Sequence, residues 1–212
     1  MLLVALTGNY GMGESTVLSL FRKSGVPTLD TDKIVESLFR SKKILGKIKQ
    51  LLGEKVFNES GSLNKKKVAD IIFKSASLRR SLEDILHPFV FDKIKDFIDK
   101  MNINDKILII AVPLVYERGY EDRFDRIIVV HTREEIAVSR LGKKGIPKKD
   151  VLLRLKAQLP IEKKKKKADF LIDNSGTIEE TKIQVKVIYK NLLKEAENGD
   201  NQRTRGIKRK LS

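Results

Sequence analysis

The ten residues "TGNYGMGEST", Thr7 to Thr16, follow the apolar run "MLLVAL" and carry the spacing of a loop that cradles phosphates. Gly8, Gly11 and Gly13 allow tight turns and let backbone N–H groups approach a chain of phosphate oxygens, while the Ser15 hydroxyl can reach Mg²⁺. A helix that opens just after the loop adds the positive end of its dipole. The strict spacing G-x-x-x-x-G-K-[ST] is met everywhere except at the lysine, where this chain has Glu14. That lysine bridges the terminal phosphates, so a carboxylate in its place reverses the local charge beside an anion. At an effective dielectric of about 20, one charge at roughly 4 Å is worth about 4 kcal/mol before relaxation. Two arrangements would relieve the conflict. Glu14 could turn into solvent while Arg140, Arg154 or a lysine takes the phosphates, or it could help to hold Mg²⁺. The plain alternative for the whole stretch is an ordinary tight turn between a strand and a helix.

The elements that would position this loop are legible as an alternation of short apolar, β-prone runs with longer amphipathic segments, the signature of an α/β protein with a mostly parallel sheet. Five strands are expected, in "LLVAL" (2–6), "VPTLD" (26–30), "KILIIAV" (106–112), "RIIVVH" (126–131) and "ADFLID" (168–173). "STVLSLFRKSG" reads as a helix opened by the loop, with Gly25 suited to the C′ position. A second amphipathic helix is expected over 179–197, with Ile183, Val187, Ile188 and Leu192 near one face. Two stretches break the alternation. Residues 33–105 have helical patterns and little strand signal. Residues 139–167 are basic, with Gly142, Gly145 and Pro147 as hinge-like breaks, a composition suited to a cover over an anionic ligand.

Composition narrows the classes. With 212 residues, 41% of them hydrophobic and 34% charged, the chain can bury a full core, and it has no apolar run near the roughly 20 residues of a membrane span. A cytoplasmic monomer with no membrane partner is expected. The absence of cysteine excludes disulfides, thiolate zinc sites and a thiol nucleophile, and His87 and His131 alone are too few for a His-rich metal site. The formal charge of +16 favours polyanions, and much of the excess lies in "EKKKKK" (162–167) and the tail "NQRTRGIKRKLS" (201–212). Their plain reading is a solvated helix face and a disordered end. Neither has interleaved aromatic residues, which argues against a nucleic-acid partner.

In order, "LTGNYGMGESTV", "TLDTDKIV", "GSLNKKKVADIIF", "LEDILHPFVFDKI", "IIAVPLVYERGYEDRFDRIIVV" and "ADFLIDNSG" resemble the dephospho-coenzyme A kinases, over most of the chain. The resemblance implies the P-loop nucleoside-triphosphate hydrolase fold, a five-stranded parallel sheet flanked by helices. A core (1–32, 106–138, 168–197) would carry a helical substrate subdomain (33–105) and a lid (139–167), with a basic tail (198–212). It implies transfer of the γ-phosphoryl of ATP to the ribose 3′-hydroxyl of dephospho-coenzyme A, with Mg²⁺, in the last step of coenzyme A synthesis.

By position, the resemblance makes Gly11, Met12, Gly13, Glu14, Ser15 and Thr16 the ATP loop, with Ser15 on the metal, and Asp32 the catalytic base. Asp32 would suit in-line transfer, where the protein places a hydroxyl and neutralises charge; without the resemblance, "LDTD" reads as a helix N-cap. His87 of "HPF" would meet substrate, or else pack or cap. Pro113, Leu114 and Glu117 of "VPLVYE" would line the acceptor pocket, Glu117 being otherwise a surface charge beside Arg118. Arg140 and Arg154 would close over the phosphates, where planar bidentate donors suit oxygen anions. Asn174 and Gly176 of "DNSG" would sit near the adenine, or simply form a strand-end turn. The lid departs from the family pattern at "GKKG", where Lys143 and Lys144 stand in place of an arginine.

Three further readings compete. A member that has lost catalysis and binds nucleotide or coenzyme A is favoured by Glu14 alone, whereas Ser15, Asp32, His87 and two lid arginines together favour the enzyme. A nucleoside monophosphate kinase shares the core but not the six segments. A nucleic-acid binder comes last.

Overall fold

The structure, a computed structural model, describes residues 1–102 and 104–198. The basic tail expected over 198–212 lies outside the described residues except for Asn198, the last residue of the C-terminal helix. Two compact units divide the chain: Met1–Asp30 together with the chain from Lys100 onward, and Thr31–Asp99.

The first unit is built on β1 (Leu2–Gly8), all seven residues of which are buried. A central strand covered on both faces has no use for polar alternation, which is why "LLVAL" is a continuous apolar run. β1 pairs in parallel with β3 (Ile107–Ala111) and with β4 (Arg126–His131). β2 (Thr28–Asp30) adds beyond β3, and β5 (Phe170–Asp173) beyond β4, giving the order β2-β3-β1-β4-β5. Because every pair is parallel, the carboxyl ends share one edge: Asp30 lies opposite Ala111, Leu6 opposite Ala111, Gly8 opposite Val130 and His131 opposite Asp173. Ligands of open parallel sheets bind at that edge.

Helix α1 (Glu14–Lys23) packs Val17, Leu18, Leu20 and Phe21 into the core shared by β1, β3, β4 and the last helix. It ends as its sequence demands. Gly25, at φ 83°, takes the C′ position, with Gly25 N–H donating to Arg22 O and Val26 N–H to Phe21 O, the pair of bonds of a Schellman cap. Helices α6 (Glu134–Gly142), α7 (Lys148–Lys156) and α8 (Ile161–Lys167) lie between β4 and β5, and α9 (Ile178–Asn198) is the last described element. The second unit is helical: α2 (Thr31–Leu38), α3 (Lys42–Leu52), α4 (Lys65–Ile72) and α5 (Ala76–Ile98). α5 buries Leu82, Leu86, Val90 and Ile94 at four-residue spacing, and Pro88 within it cannot donate to the Asp84 carbonyl. No helix among the described residues is long and apolar enough to cross a membrane.

Two expectations need correction. The buried face of α9 is Thr181, Val185, Ile188, Leu192 and Ala196, while Ile183 and Val187 are exposed, at 63% and 53%. Ile188 and Leu192 lie on the buried face as expected; Ile183 lies two residues from Val185, about 200° around the helix, so it cannot share that face. The lysine run is not wholly a solvated face either. In α8, Lys163, Lys166 and Lys167 are exposed, but Lys164 is fully buried, because its turn of helix faces the end of β1.

These placements fix two outcomes. Leu192→Ala will cost about 2–5 kcal/mol of unfolding free energy in urea, whereas Ile183→Ala will stay within about 0.5 kcal/mol; equal losses would contradict the assigned face. At the end of β4, burial pushes the His131 imidazole below its ordinary pKa, with Asp173 opposing. Protonation of His131 therefore favours the unfolded chain. Its contribution is complete above the unfolded imidazole value, near pH 6.5, and falls as pH drops from there through the folded value. Melting curves of His131→Gln will accordingly lose less between about pH 7.5 and 5.5 than those of the parent chain.

Candidate active site

The turn from β1 into α1 leaves no room for side chains at its glycines. A Cβ on Gly8 would lie 2.7 Å from the Val130 carbonyl oxygen, one on Gly11 would lie 2.6 Å from Leu141 Cδ1, and one on Gly13 would run into the Asn174 amide. Gly11 and Gly13 also hold φ of 84° and 103°, which side-chain-bearing residues rarely adopt. The Met12 N–H closes the turn on Asn9 O, and the Thr16 and Val17 N–H groups fold back to Gly13 O as α1 begins. Ser15 and Thr16 are exposed at the first turn. The result is a closed turn at the head of a helix, where the positive end of the helix dipole favours anions. Such a helix head is able to receive an oxyanion.

Two sets of contacts hold the loop. On one side, Asn174 is 5% exposed and bonds three ways: its N–H to His131 O, its Nδ2 to Met12 O at 2.9 Å, and its Oδ1 from Thr181 Oγ1 at 3.0 Å. Arg140 Nη2 donates to Asn174 O at 2.9 Å, with its other guanidinium nitrogen, Nη1, 4.0 Å from the Cβ position of Gly13. On the other side, Asn9 Nδ2 donates to Leu159 O at 3.0 Å, and Tyr10 N–H donates to Gln158 Oε1 at 2.8 Å. Arg154 lies over the Tyr10 ring, 4.7 Å from its centroid. The connection between α7 and α8 is thereby docked on the loop's first turn.

Glu14 is half-buried, and its carboxyl folds back over Gly8, with Cδ and Oε1 each 3.1 Å from the position a Gly8 Cβ would take. The carboxylate is thus not turned out into solvent. The buried cation nearest the loop is Lys164, whose Nζ meets Glu117 Oε1 at 2.8 Å, Gly8 O at 3.0 Å and Pro113 O at 3.3 Å. An ammonium has three N–H donors, and all three are engaged. Lys164 has none left for a phosphate, so it does not replace the missing lysine. Arg140 is the basic side chain closest to Gly13.

The residues after β3 are held in the same network. Pro113 O also accepts from Thr7 Oγ1 at 3.1 Å, and Glu117 Oε1 accepts the Leu159 N–H at 2.9 Å. Glu117 is consequently no surface charge: its side chain is 15% exposed, and Oε2 is buried without a hydrogen-bond partner among the described residues. Leu114, next to Pro113 in sequence, is half-buried. Gly176 leaves space for Glu180, which forms a capping box with Thr177: the Thr177 N–H donates to Glu180 Oε2 at 2.7 Å, and the Glu180 N–H to Thr177 Oγ1 at 3.3 Å. Asp32 and His87 belong to the helical unit. Asp32 is exposed in the first turn of α2, two residues past the end of β2, and His87 is half-buried in α5 before Pro88.

The first unit thus brings together Gly11, Met12, Gly13, Arg140 and Asn174, and separately Pro113, Glu117 and Lys164. Asn9, Gln158, Lys164 and Thr181 are contributors that the sequence did not single out. Lys164 sits among five identical lysines, and only the rotation of α8 marks it.

The chain matches the model of the family described as dephospho-CoA kinase over residues 2–180. A dephospho-CoA kinase of Aquifex aeolicus is 37% identical over 193 residues, covering 91% of this chain and 98% of that protein. Among solved structures, a protein of Thermus thermophilus superposes with a TM-score of 0.77 at 29% identity, covering 90% of this chain and 97% of its own. A dephospho-CoA kinase from Campylobacter jejuni superposes at 0.63 and 21% identity over 91% of this chain and 98% of its own, a likeness of fold. On the family match and the identity to the Aquifex protein, this chain belongs to the dephospho-CoA kinase family.

Proposed function

We propose that this chain is an ATP-dependent kinase that transfers the γ-phosphoryl group to the ribose 3′-hydroxyl of dephospho-coenzyme A, at a rate limited by Glu14. The observation that carries the reading is the loop from Gly8 to Ser15, with glycines where no Cβ fits and clamps on both sides. Nothing in folding alone requires a strand, a three-glycine turn and a helix head to be held open in this way.

Roles follow from chemistry. The loop from Gly11 to Thr16 holds the phosphates through backbone N–H groups other than those of Met12 and Thr16, which bond Asn9 O and Gly13 O, and Arg140 supplies positive charge beside Gly13. Mg²⁺ arriving on the triphosphate needs one or two protein oxygens, because phosphates and water complete its octahedron. The exposed Ser15 hydroxyl fits that demand, and no group of three or more His, Asp or Glu side chains among the described residues forms a rival metal cage. The Ser15 hydroxyl would hold the ion, which would supply positive charge against that of the transferring phosphoryl group. Asp32 accepts the proton of the attacking hydroxyl, and His87, Pro113, Leu114 and Glu117 serve the acceptor. Arg154, stacked on Tyr10, and Asn174 and Gly176 serve the nucleotide side. A second reading, a nucleotide or coenzyme A binding module without turnover, is favoured by Glu14 alone.

Steady-state transfer from Mg·ATP to dephospho-coenzyme A separates the two. Glu14→Lys will raise kcat/KM by at least about tenfold, since a like charge is removed and a cation gained at the phosphates; no gain would contradict the role given to Glu14. Asp32→Asn will lower kcat by about 10²-fold or more with KM for ATP little changed. A variant as active as its parent would remove Asp32 from the proton transfer.

A further inference from the structure

We propose that Lys164 is a positioning residue for phosphoryl transfer, holding the phosphate loop and the acceptor-side segment after β3 at a fixed separation. The inference rests on the kinase reading above. Its basis is the three-way coordination of one fully buried ammonium by Gly8 O, Pro113 O and Glu117 Oε1. Gly8 is the last residue of β1 and the first glycine of the loop, while Pro113 and Glu117 belong to the segment that follows β3.

β1 and β3 are paired only as far as Leu6 and Ala111, with one further bond from the Val112 N–H to Leu6 O. Beyond that rung the chains diverge, one into the phosphate loop and the other toward Glu117. The links that continue across the gap are the Thr7 hydroxyl on Pro113 O and the Lys164 ammonium, which shares that oxygen. Lys164 thereby extends the sheet pairing past its last backbone bond. Glu117 then ties the same ammonium to the Leu159 N–H, and Leu159 O holds Asn9. A misplacement of about 1 Å between reacting groups costs on the order of 10²-fold in rate, so a brace at this point acts on kcat while each loop keeps its own ligand.

The test uses Lys164→Met, which keeps the buried stem and removes the ammonium, in the full chain. The expected result is a fall in kcat of about 10²-fold, with Kd for Mg·ATP and for dephospho-coenzyme A each within about threefold of the parent. Amide hydrogen exchange will quicken by at least about tenfold at both Gly8–Met12 and Leu114–Glu117. A purely structural role would lower the melting temperature while leaving kcat per folded molecule intact, and would overturn the proposal. Exchange that rises at neither segment, or at only one, also overturns it. If the parent chain forms no product, the kinase reading falls and the exchange measurement alone decides whether Lys164 couples the two segments. Should Lys164→Met fail to fold, Lys164→Gln keeps a buried polar side chain too short to reach all three acceptors, and the same readings apply.

Discussion

A triphosphate can be gripped by backbone alone only where N–H groups converge without side chains in the way, and that requirement shapes the first unit. It calls for a strand whose end is fixed, a turn with no Cβ atoms and a helix starting at once. β1 supplies the fixed end by being the buried middle of a five-stranded parallel sheet. Gly8, Gly11 and Gly13 supply the turn, each against a neighbour that a methyl group would strike. Asn174 and the Gln158–Leu159 connection hold the turn at separate points, which fixes its shape ahead of any ligand.

The same geometry explains how a carboxylate is tolerated where a lysine belongs. Glu14 is turned back over Gly8, whose carbonyl oxygen is ligated by the buried Lys164 ammonium. The negative charge is therefore kept beside Gly8, while the Lys164 ammonium is committed to Gly8 O, Pro113 O and Glu117 Oε1, and Arg140 lies on the Gly13 side with its guanidinium. On the proposed function, the field this loop offers to phosphates is weaker than a lysine would make it, and slow turnover is the expected consequence.

Much of this architecture was legible in the residues, because the signals were periodic or steric. Buried parallel strands show as continuous apolar runs, and a glycine that closes a helix leaves a recognisable offset, as Gly25 does. The three loop glycines were readable for the same reason. Side-chain partnerships were not. The carboxamide of Asn174 could equally have belonged to a strand-end turn, and only its burial against Met12 O and Thr181 reveals a clamp. Lys164 was indistinguishable from its neighbours because a run of one residue type carries no periodicity. On α9, Ile183 and Val187 are apolar but exposed and imitate a core stripe. Apolar residues on a surface are common, so hydrophobicity alone does not fix the rotation of a helix.

The central claim is that the loop carrying Glu14 still holds a triphosphate. Its most direct test is calorimetric titration of the purified chain with Mg·ATP, alongside a separate titration with dephospho-coenzyme A. The account predicts saturable one-to-one binding of both ligands, with Mg·ATP binding abolished in Gly13→Ala, where the added methyl group meets the Asn174 amide. Binding of dephospho-coenzyme A with no binding of Mg·ATP would contradict it, leaving a coenzyme-binding protein in the shape of a kinase.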